Sequence, residues 1–301
     1  MKNLVAFLNT GKERIAMATE IDVNSLLNRI AESKKKFSFP IFIPSLDREV
    51  PFFQLTTAQQ KMFVKASMSN MDEFTNIMYS LFAIIKENCA DPEVDVSKFT
   101  IVDKLLVTIA MRMVSISPVY KVVINDLPNE DGKPTNASID LNTICRRIIK
   151  KFKGQTFAET LSADGTDIKL SIGLPTIGTE VSIEKDIEQK ARKDATSDDS
   201  DVSSSAVGEL YVLECLKFVK SITTPVEGGD DVTTDIENLP SKEKMKIIES
   251  LPSGLTSKLV DRVNDILKDL NSVYLLKIKD KEGKDHTYTL DFYSSDFFIG
   301  S

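Results

Sequence analysis

Histidine and cysteine, the side chains that most often serve as catalytic bases, nucleophiles or zinc ligands, are scarce in this chain of 301 residues. The one histidine, His286, lies in a stretch of alternating polarity, where a solvated strand residue is a simpler interpretation than a Ser-His-Asp or Cys-His site. Cys89, Cys145 and Cys215 lie far apart with apolar neighbours at helical spacing, and we interpret them as reduced core residues. The sequence contains no close pair of cysteines or histidines with zinc-site spacing.

An acidic, serine-rich run at residues 196–205 comes nearest to a metal-binding loop. Asp199 and Asp201 stand at alternate positions, as in a calcium loop, but Ser204 occupies the glycine position and Leu210 the position of the bidentate glutamate. Glycine-rich phosphate loops do not occur in the sequence either. We therefore predict no catalytic residue, no cofactor and no metal ligand, and we interpret the run as an exposed linker.

Charge is distributed unevenly along the chain, whose formal net charge is −7. Residues 1–154 carry 21 Lys+Arg against 17 Asp+Glu, whereas residues 155–301 carry 17 against 28. This asymmetry indicates that the two parts attract each other or that the acidic part faces a basic partner, and it disfavours general nucleic-acid binding. Apolar runs are too short for a spanning helix, and charges interrupt the N-terminal start, so we predict neither membrane insertion nor a signal peptide.

One predicted helix, residues 142–153, concentrates positive charge opposite the apolar side chains of Ile144, Ile148 and Ile149. A solvated helix face explains this pattern, and contact with phosphate or with an acidic partner is the alternative. The basic residues are Arg146, Arg147, Lys150, Lys151 and Lys153.

The elements that must position any functional side chain follow from hydrophobic periodicity. Apolar residues alternate over 37–55, with Phe37, Phe39, Ile41 and Ile43 on one side of the first strand, which predicts a hairpin. Helical spacing predicts helices over 56–68, 72–88, 101–115, 142–153, 210–219, 241–251 and 256–270, and a charged helix from about 183. Further predictions are a strand at 119–126, a loop at 128–138 and hairpins at 155–174 and 273–292.

These elements predict an α+β fold, with short antiparallel hairpins packed on several amphipathic helices and a C-terminal β-hairpin. We expect four segments along the chain. They are an N-terminal arm at 1–36, a hairpin-plus-helices core domain at 37–154, an inserted hairpin with a charged helix and linker at 155–209, and a helical segment with the C-terminal hairpin and apolar tail at 210–301.

The chain ends in an apolar tail that, left free, would expose a few hundred Å². We predict that the tail is an anchor for a neighbouring subunit or for the core of the same chain. Clustered aromatic residues often dominate binding energy, so in the partner version the aromatic residues of the preceding hairpin form the rim of the contact. Docking of the tail on the final helix of the same chain is the alternative. The candidate partner-binding residues are Tyr274, Phe292, Tyr293, Phe297, Phe298 and Ile299.

Four strings of the sequence resemble, in pattern and order, the baseplate hub proteins of T4-like contractile-tailed phages. They are FPIFIPSLDREVPFFQLTTAQQKMFVKA at 39–66, FTIVDKLLVTIAMRMVSIS at 99–117, ENLPSKEKMKIIESLPSGLTSKLVDRVNDIL at 237–267 and DFF at 296–298. Some relatives carry paired cysteines in the C-terminal ribbon, where this chain has KIKDKEGKDH at 277–286, so the resemblance implies no metal here.

The resemblance implies a structural or assembly component of the tail baseplate hub, made in the host cytoplasm and located in the virion. Its partners would be other baseplate, hub or tail tube proteins, and a multi-copy place in a symmetric assembly is left open. Two other hypotheses remain: a tail assembly chaperone that is not part of the virion, and an enzyme without a recognisable motif.

Limited proteolysis tests the linker prediction. Because residues 196–205 lack the apolar side chains that would order them, we expect the first cleavages there, with the flanking fragments remaining folded. Resistance of this run, with first cleavage elsewhere, would contradict the linker interpretation and reopen the calcium alternative. The cleavage sites are read by mass spectrometry of the fragments.

Overall fold

The computed structural model describes residues 22–67, 73–128, 134–155, 157–195, 211–279 and 283–299. The chain divides into two compact units, Met1–Ser38 and Phe39–Ser301. The four-segment division expected from the sequence stays a prediction. The predicted linker at 196–205, including the positions compared with a calcium loop, lies outside the described residues.

In the first unit, helix α1 spans Val23–Lys35 and begins at Asp22, whose side chain accepts a hydrogen bond from the backbone N–H of Asn24. The helix is amphipathic, but its apolar stripe is exposed, with exposed fractions of 40% to 61%. The stripe consists of Val23, Leu26, Leu27 and Ile30.

The second unit combines helices with short antiparallel ladders, which confirms the α+β class. Its helices are α2 Thr57–Ser67, α3 Glu73–Asn88, α4 Ile101–Ser115, α5 Leu141–Phe152, α6 Ile177–Ala195, a helical segment at 211–216, α7 Ser241–Glu249, α8 Ser253–Asn271 and α9 Ser295–Ile299. Its strands are β1, which begins at the unit boundary and spans Ser38–Ile43, β2 Arg48–Phe53, β3 Val119–Pro128, β4 Pro134–Asp140, β5 Glu159–Ser162, β6 Lys169–Ile172, β7 Val219–Thr224, β8 Val232–Asp235, β9 Leu275–Lys279 and β10 Asp285–Thr289.

The sheets are small. Strands β1 and β2, β3 and β4, and β9 and β10 form two-stranded sheets, and the order β5-β6-β7-β8 gives one four-stranded sheet. The last sheet joins the predicted hairpin at 155–174 to strands from beyond the linker, with Leu170 opposite Ile222. The predicted C-terminal hairpin is confirmed, with Asp285 opposite Lys279 and Thr289 opposite Leu275.

Helix α4 lies at the centre of the core, and its apolar residues Leu105, Leu106 and Ile109 are buried. A capping box is present at the start of α4: the backbone N–H of Asp103 donates to the Thr100 hydroxyl, and the Asp103 carboxylate accepts from the Thr100 backbone at 2.7 Å. The same carboxylate accepts from the backbone N–H of Ser45, at 3.0 Å, in the turn between β1 and β2. One buried side chain therefore fixes the start of α4 and docks the hairpin onto it.

Two predictions of secondary structure were wrong. The stretch predicted as a loop at 128–138 contains most of β4, whose sequence PTNASID has few strand-favouring residues but whose backbone completes the ladder with β3 from Asp140 to Thr135. The helix predicted to reach Val219 ends earlier, and Val219 begins β7. A register shift at Ile172 leaves Val219 and Ile222 as the buried residues of β7, a spacing of three that imitates a helix.

One side chain of the first predicted strand also departs from the expected pattern. Ile41 and Ile43 are buried in the core, as alternation predicts, and Phe39 is half-buried. Phe37, expected on the same side, precedes β1 and is 69% exposed. The alternation therefore ends where the ladder ends.

Replacement of Asp103 tests its double role. The variant Asp103→Ala loses the reciprocal cap and the hydrogen bond from Ser45, and leaves two backbone donors without their acceptor, so we expect the free energy of unfolding to fall by about 2–3 kcal/mol. Urea denaturation followed by circular dichroism measures this. The control Asp230→Ala, at an exposed turn residue, should change it by less than about 0.5 kcal/mol. Equal stabilities of the two variants would contradict the role of Asp103.

Candidate functional site

The aromatic residues predicted at the C terminus converge in one cluster, here called the tail site. Phe297 and Phe298 of α9 are buried, with exposed fractions of 0% and 1%. The Phe298 ring stacks face to face on Phe63 of α2, with centroids 3.8 Å apart and planes 4° from parallel. Phe297 meets Tyr120 of β3 edge-on at 5.1 Å and Phe292 at 5.2 Å. Edge-on ring pairs of this kind add to the stabilisation from burial alone.

A buried arginine binds the backbone of the tail. Arg112 of α4 donates from Nε to the carbonyl oxygen of Phe297 at 2.7 Å and from Nη1 to that of Ser117 at 2.5 Å. Its guanidinium lies 5.1 Å from the ring centroids of both Tyr120 and Phe297. Burial lowers the pKa of Arg112, yet guanidinium groups stay protonated in proteins. Carbonyl dipoles and ring faces thus take the place of a carboxylate partner around this charge.

A buried ion pair lies beside the tyrosines of the tail site. Lys104 of α4 binds Glu180 of α6 with 2.5 Å between Nζ and Oε2, and the ammonium lies 5.3 Å from the ring centroid of Tyr293. A hydrogen bond joins the hydroxyls of Tyr293 and Tyr274. Loss of contact with water raises the pKa of both tyrosines, so both phenols stay neutral. The group holds the last hairpin and α6 against the same helix.

The structure therefore brings five of the six candidate partner-binding residues together inside the fold of the chain itself. They are Tyr274, Phe292, Tyr293, Phe297 and Phe298, and the side chain of Ile299 lies outside the described part of the structure. The ring contacts of the tail are with α2 and β3 rather than with the final long helix, α8. A role of the six residues in binding a partner stays a prediction.

Sequence reasoning missed a row of buried polar residues on α4, of which Arg112 contacts the tail. Lys104, Thr108 and Arg112 recur every four residues on α4, and all three are buried within a largely apolar helix. A row of polar residues along a buried face indicates specific partners, because each polar group must be hydrogen-bonded there. The four-residue spacing of these polar side chains can be read from the sequence, whereas the groups that they bind cannot.

The basic helix α5 is largely engaged within the chain. The ammonium of Lys151 donates to the carbonyl and carboxylate oxygens of Asp269, at 2.8 and 2.9 Å, near the end of α8. Arg147 donates to the carbonyl of Leu275, and Lys153 lies 3.3 Å from the Asp47 carboxylate. A cation at the C-terminal end of a helix is stabilised by the helix dipole. These contacts hold α5 against α8, against strand β9 of the C-terminal hairpin and against the turn between β1 and β2.

The remaining chemistry-bearing residues lie in unremarkable surroundings. The cysteines are free, and burial raises the pKa of Cys145 to about 12 and that of Cys215 to about 11, which disfavours the reactive thiolate. His286 lies opposite Ile278 in the last ladder. Within the described ranges, no group of three or more His, Cys, Asp or Glu residues is placed to hold a metal ion. None of the helices described is both long and apolar enough to cross a membrane.

A family model described as T4 bacteriophage base plate protein matches residues 34–299, from just before β1 to the end of α9. No curated protein and no solved structure matches the chain.

The double variant Phe297→Ala/Phe298→Ala tests the role of the tail. Truncating two buried rings removes their contacts with Phe63 and Tyr120, so we expect the free energy of unfolding to fall by at least about 4 kcal/mol and the Tm to fall with it. The control Phe37→Ala removes an exposed ring and should leave the Tm unchanged.

Assembly of particles, measured with the same variants, separates the two hypotheses for the tail. An unchanged Tm with lost assembly would support the partner anchor, and a lowered Tm supports internal packing. If neither quantity changed, both hypotheses would be wrong.

Proposed function

The chain belongs to the T4 bacteriophage base plate protein family, and we propose that it is a structural or assembly component of the baseplate hub that acts through protein–protein contacts. The family match carries the proposal, because it covers nearly all of the second compact unit rather than one motif. Base plate proteins are components of the phage tail, and so is this chain.

The use of buried charges supports a structural role. Lys217 binds both Glu184 of α6 and Glu214, and Lys244 of α7 donates to the carbonyl of Glu237 at 2.5 Å. Burial raises the pKa of Glu184, which the adjacent Lys217 ammonium opposes, and burial lowers the pKa of Lys244. These groups connect different elements of the fold, as Lys104 and Arg112 do. These ion pairs and hydrogen bonds therefore stabilise the fold by connecting its elements.

The proposed partners are other baseplate, hub or tail tube proteins, with more than one copy of the chain in a symmetric assembly. The protein would be made in the host cytoplasm, enter the virion with the tail, and work without catalysis, nucleic-acid binding or membrane insertion. The charge asymmetry supports association, since 28 acidic against 17 basic residues after residue 154 suit contact with a basic surface.

Quantitative mass spectrometry of purified particles tests the proposal. We expect peptides of this chain at a fixed molar ratio to the tail tube protein across independent preparations and salt washes, because a permanent subunit is retained by its contacts. A host protein of similar abundance in the lysate serves as the control for carry-over. Presence in assembly intermediates but loss from finished particles would instead identify a chaperone. Absence from both would contradict any role in the tail.

A further inference from the structure

The exposed stripe of helix α1 has the spacing of a helix that binds in a groove. Val23, Leu26, Leu27 and Ile30 stand at positions i, i+3, i+4 and i+7, the pattern with which amphipathic helices fill apolar grooves. All four are at least 40% exposed, and together they cover about 10 Å along the helix axis. Contiguous apolar surface of this kind usually marks an interaction site.

The charge of α1 specifies the kind of partner. The helix carries Arg29, Lys34 and Lys35 against a single acidic residue, Glu32, and its two flanking residues, Asp22 and Lys36, have opposite charges. A basic amphipathic helix favours an apolar groove with an acidic rim, because complementary charge steers the encounter and fixes the orientation.

The second unit contains a groove of this description. It has a volume of about 520 Å³ and lies between the helical segment at 211–216, the end of α7 and the first turns of α8. Ile248 is buried at its floor, and Val212, Leu251 and Val260 line it while remaining half-exposed.

The rim of the groove is acidic. Glu249 and Asp261 both line it and are exposed. The wall formed by α8 runs from Ser253 to Asp261, or about 12 Å, which matches the length of the apolar stripe on α1. The groove also belongs to the part of the chain that carries the excess of acidic residues.

We propose that helix α1 of one copy binds this groove on a second copy, with its apolar stripe on Val212, Leu251 and Val260 and its net positive charge complementing the acidic rim of Glu249 and Asp261. The contact joins two different surfaces, so it is head-to-tail and forms a ring when the rotation between copies closes. The inference goes beyond the proposed hub role, because it concerns the association of the chain with itself and needs no other phage protein.

Sedimentation of the purified full-length chain over a range of concentrations tests the proposal. We expect the wild type to self-associate, and Leu27→Asp/Ile30→Asp to weaken association at least about 30-fold. The variant Glu249→Arg/Asp261→Arg changes only exposed side chains of the rim, so the protein should remain folded while its self-association weakens about tenfold. Because charge contributes to the contact, self-association of the wild type should also weaken as the salt concentration rises. The controls are Asn28→Asp on the opposite face of α1 and Val232→Asp at an exposed valine of β8, which should both associate normally.

Mixing two variants distinguishes this contact from other modes of association. A copy with Leu27→Asp/Ile30→Asp keeps its groove, and a copy with Val260→Asp keeps its α1, so the mixture should form dimers although each variant alone is monomeric. Circular dichroism verifies that each variant is folded.

Three results would overturn the proposal: a wild type that is monomeric at all concentrations, association that ignores the helix and rim variants, or a mixture that does not form dimers. Docking of α1 within its own chain would give the first result. None of these measurements uses phage particles. A negative result would therefore overturn the self-association and not the proposed hub role, which mass spectrometry of purified particles tests separately.

Discussion

A hydrogen bond between the guanidinium of Arg112 and the carbonyl oxygen of Phe297 joins the central helix to the last residues of the chain. Because the guanidinium is also bound to the carbonyl of Ser117, it fixes the end of α4, the chain leading into β3 and the tail helix in one arrangement. A buried charge that lost these acceptors would cost several kcal/mol. The packing of Phe297 and Phe298 against the core therefore depends on a polar contact as much as on the burial of the two rings.

Two other polar residues of α4 act in the same way at other positions along the helix. Asp103 holds the turn between β1 and β2, and Lys104 holds α6 through Glu180. The Thr108 hydroxyl stays within the helix and donates to the carbonyl of Lys104 at 2.7 Å. Segments far apart in sequence thus meet a single helix at defined positions. Apolar burial alone would allow packed segments to slide along the helix, whereas hydrogen bonds of fixed geometry do not. The contacts of Asp103, Lys104 and Arg112 therefore specify where each segment docks on α4.

The sequence was sufficient for features that depend on local pattern. The helices with wide apolar stripes and the alternation around Ile41 and Ile43 were predicted, because their signals lie within a few residues. Strand β4 was missed because its stability comes from its ladder with β3, and the contact of the tail with Arg112 was not predicted because the acceptor on Phe297 is a backbone carbonyl, which every residue possesses. Long-range pairing left no trace in residue type at these places.

The ion pair between Lys217 and Glu184 bridges the two sides of the acidic run, since Glu184 precedes residues 196–210 and Lys217 follows them. The pairing of β6 with β7 joins the same two sides a second time. These contacts hold the two ends of the intervening segment close together. For an exposed linker, as the sequence predicts at 196–205, the entropy cost of loop closure grows only with the logarithm of its length. If the linker prediction holds, an epitope or a fluorescent domain inserted after residue 200 adds little to the free energy of the folded state, and this position offers a place to label the protein.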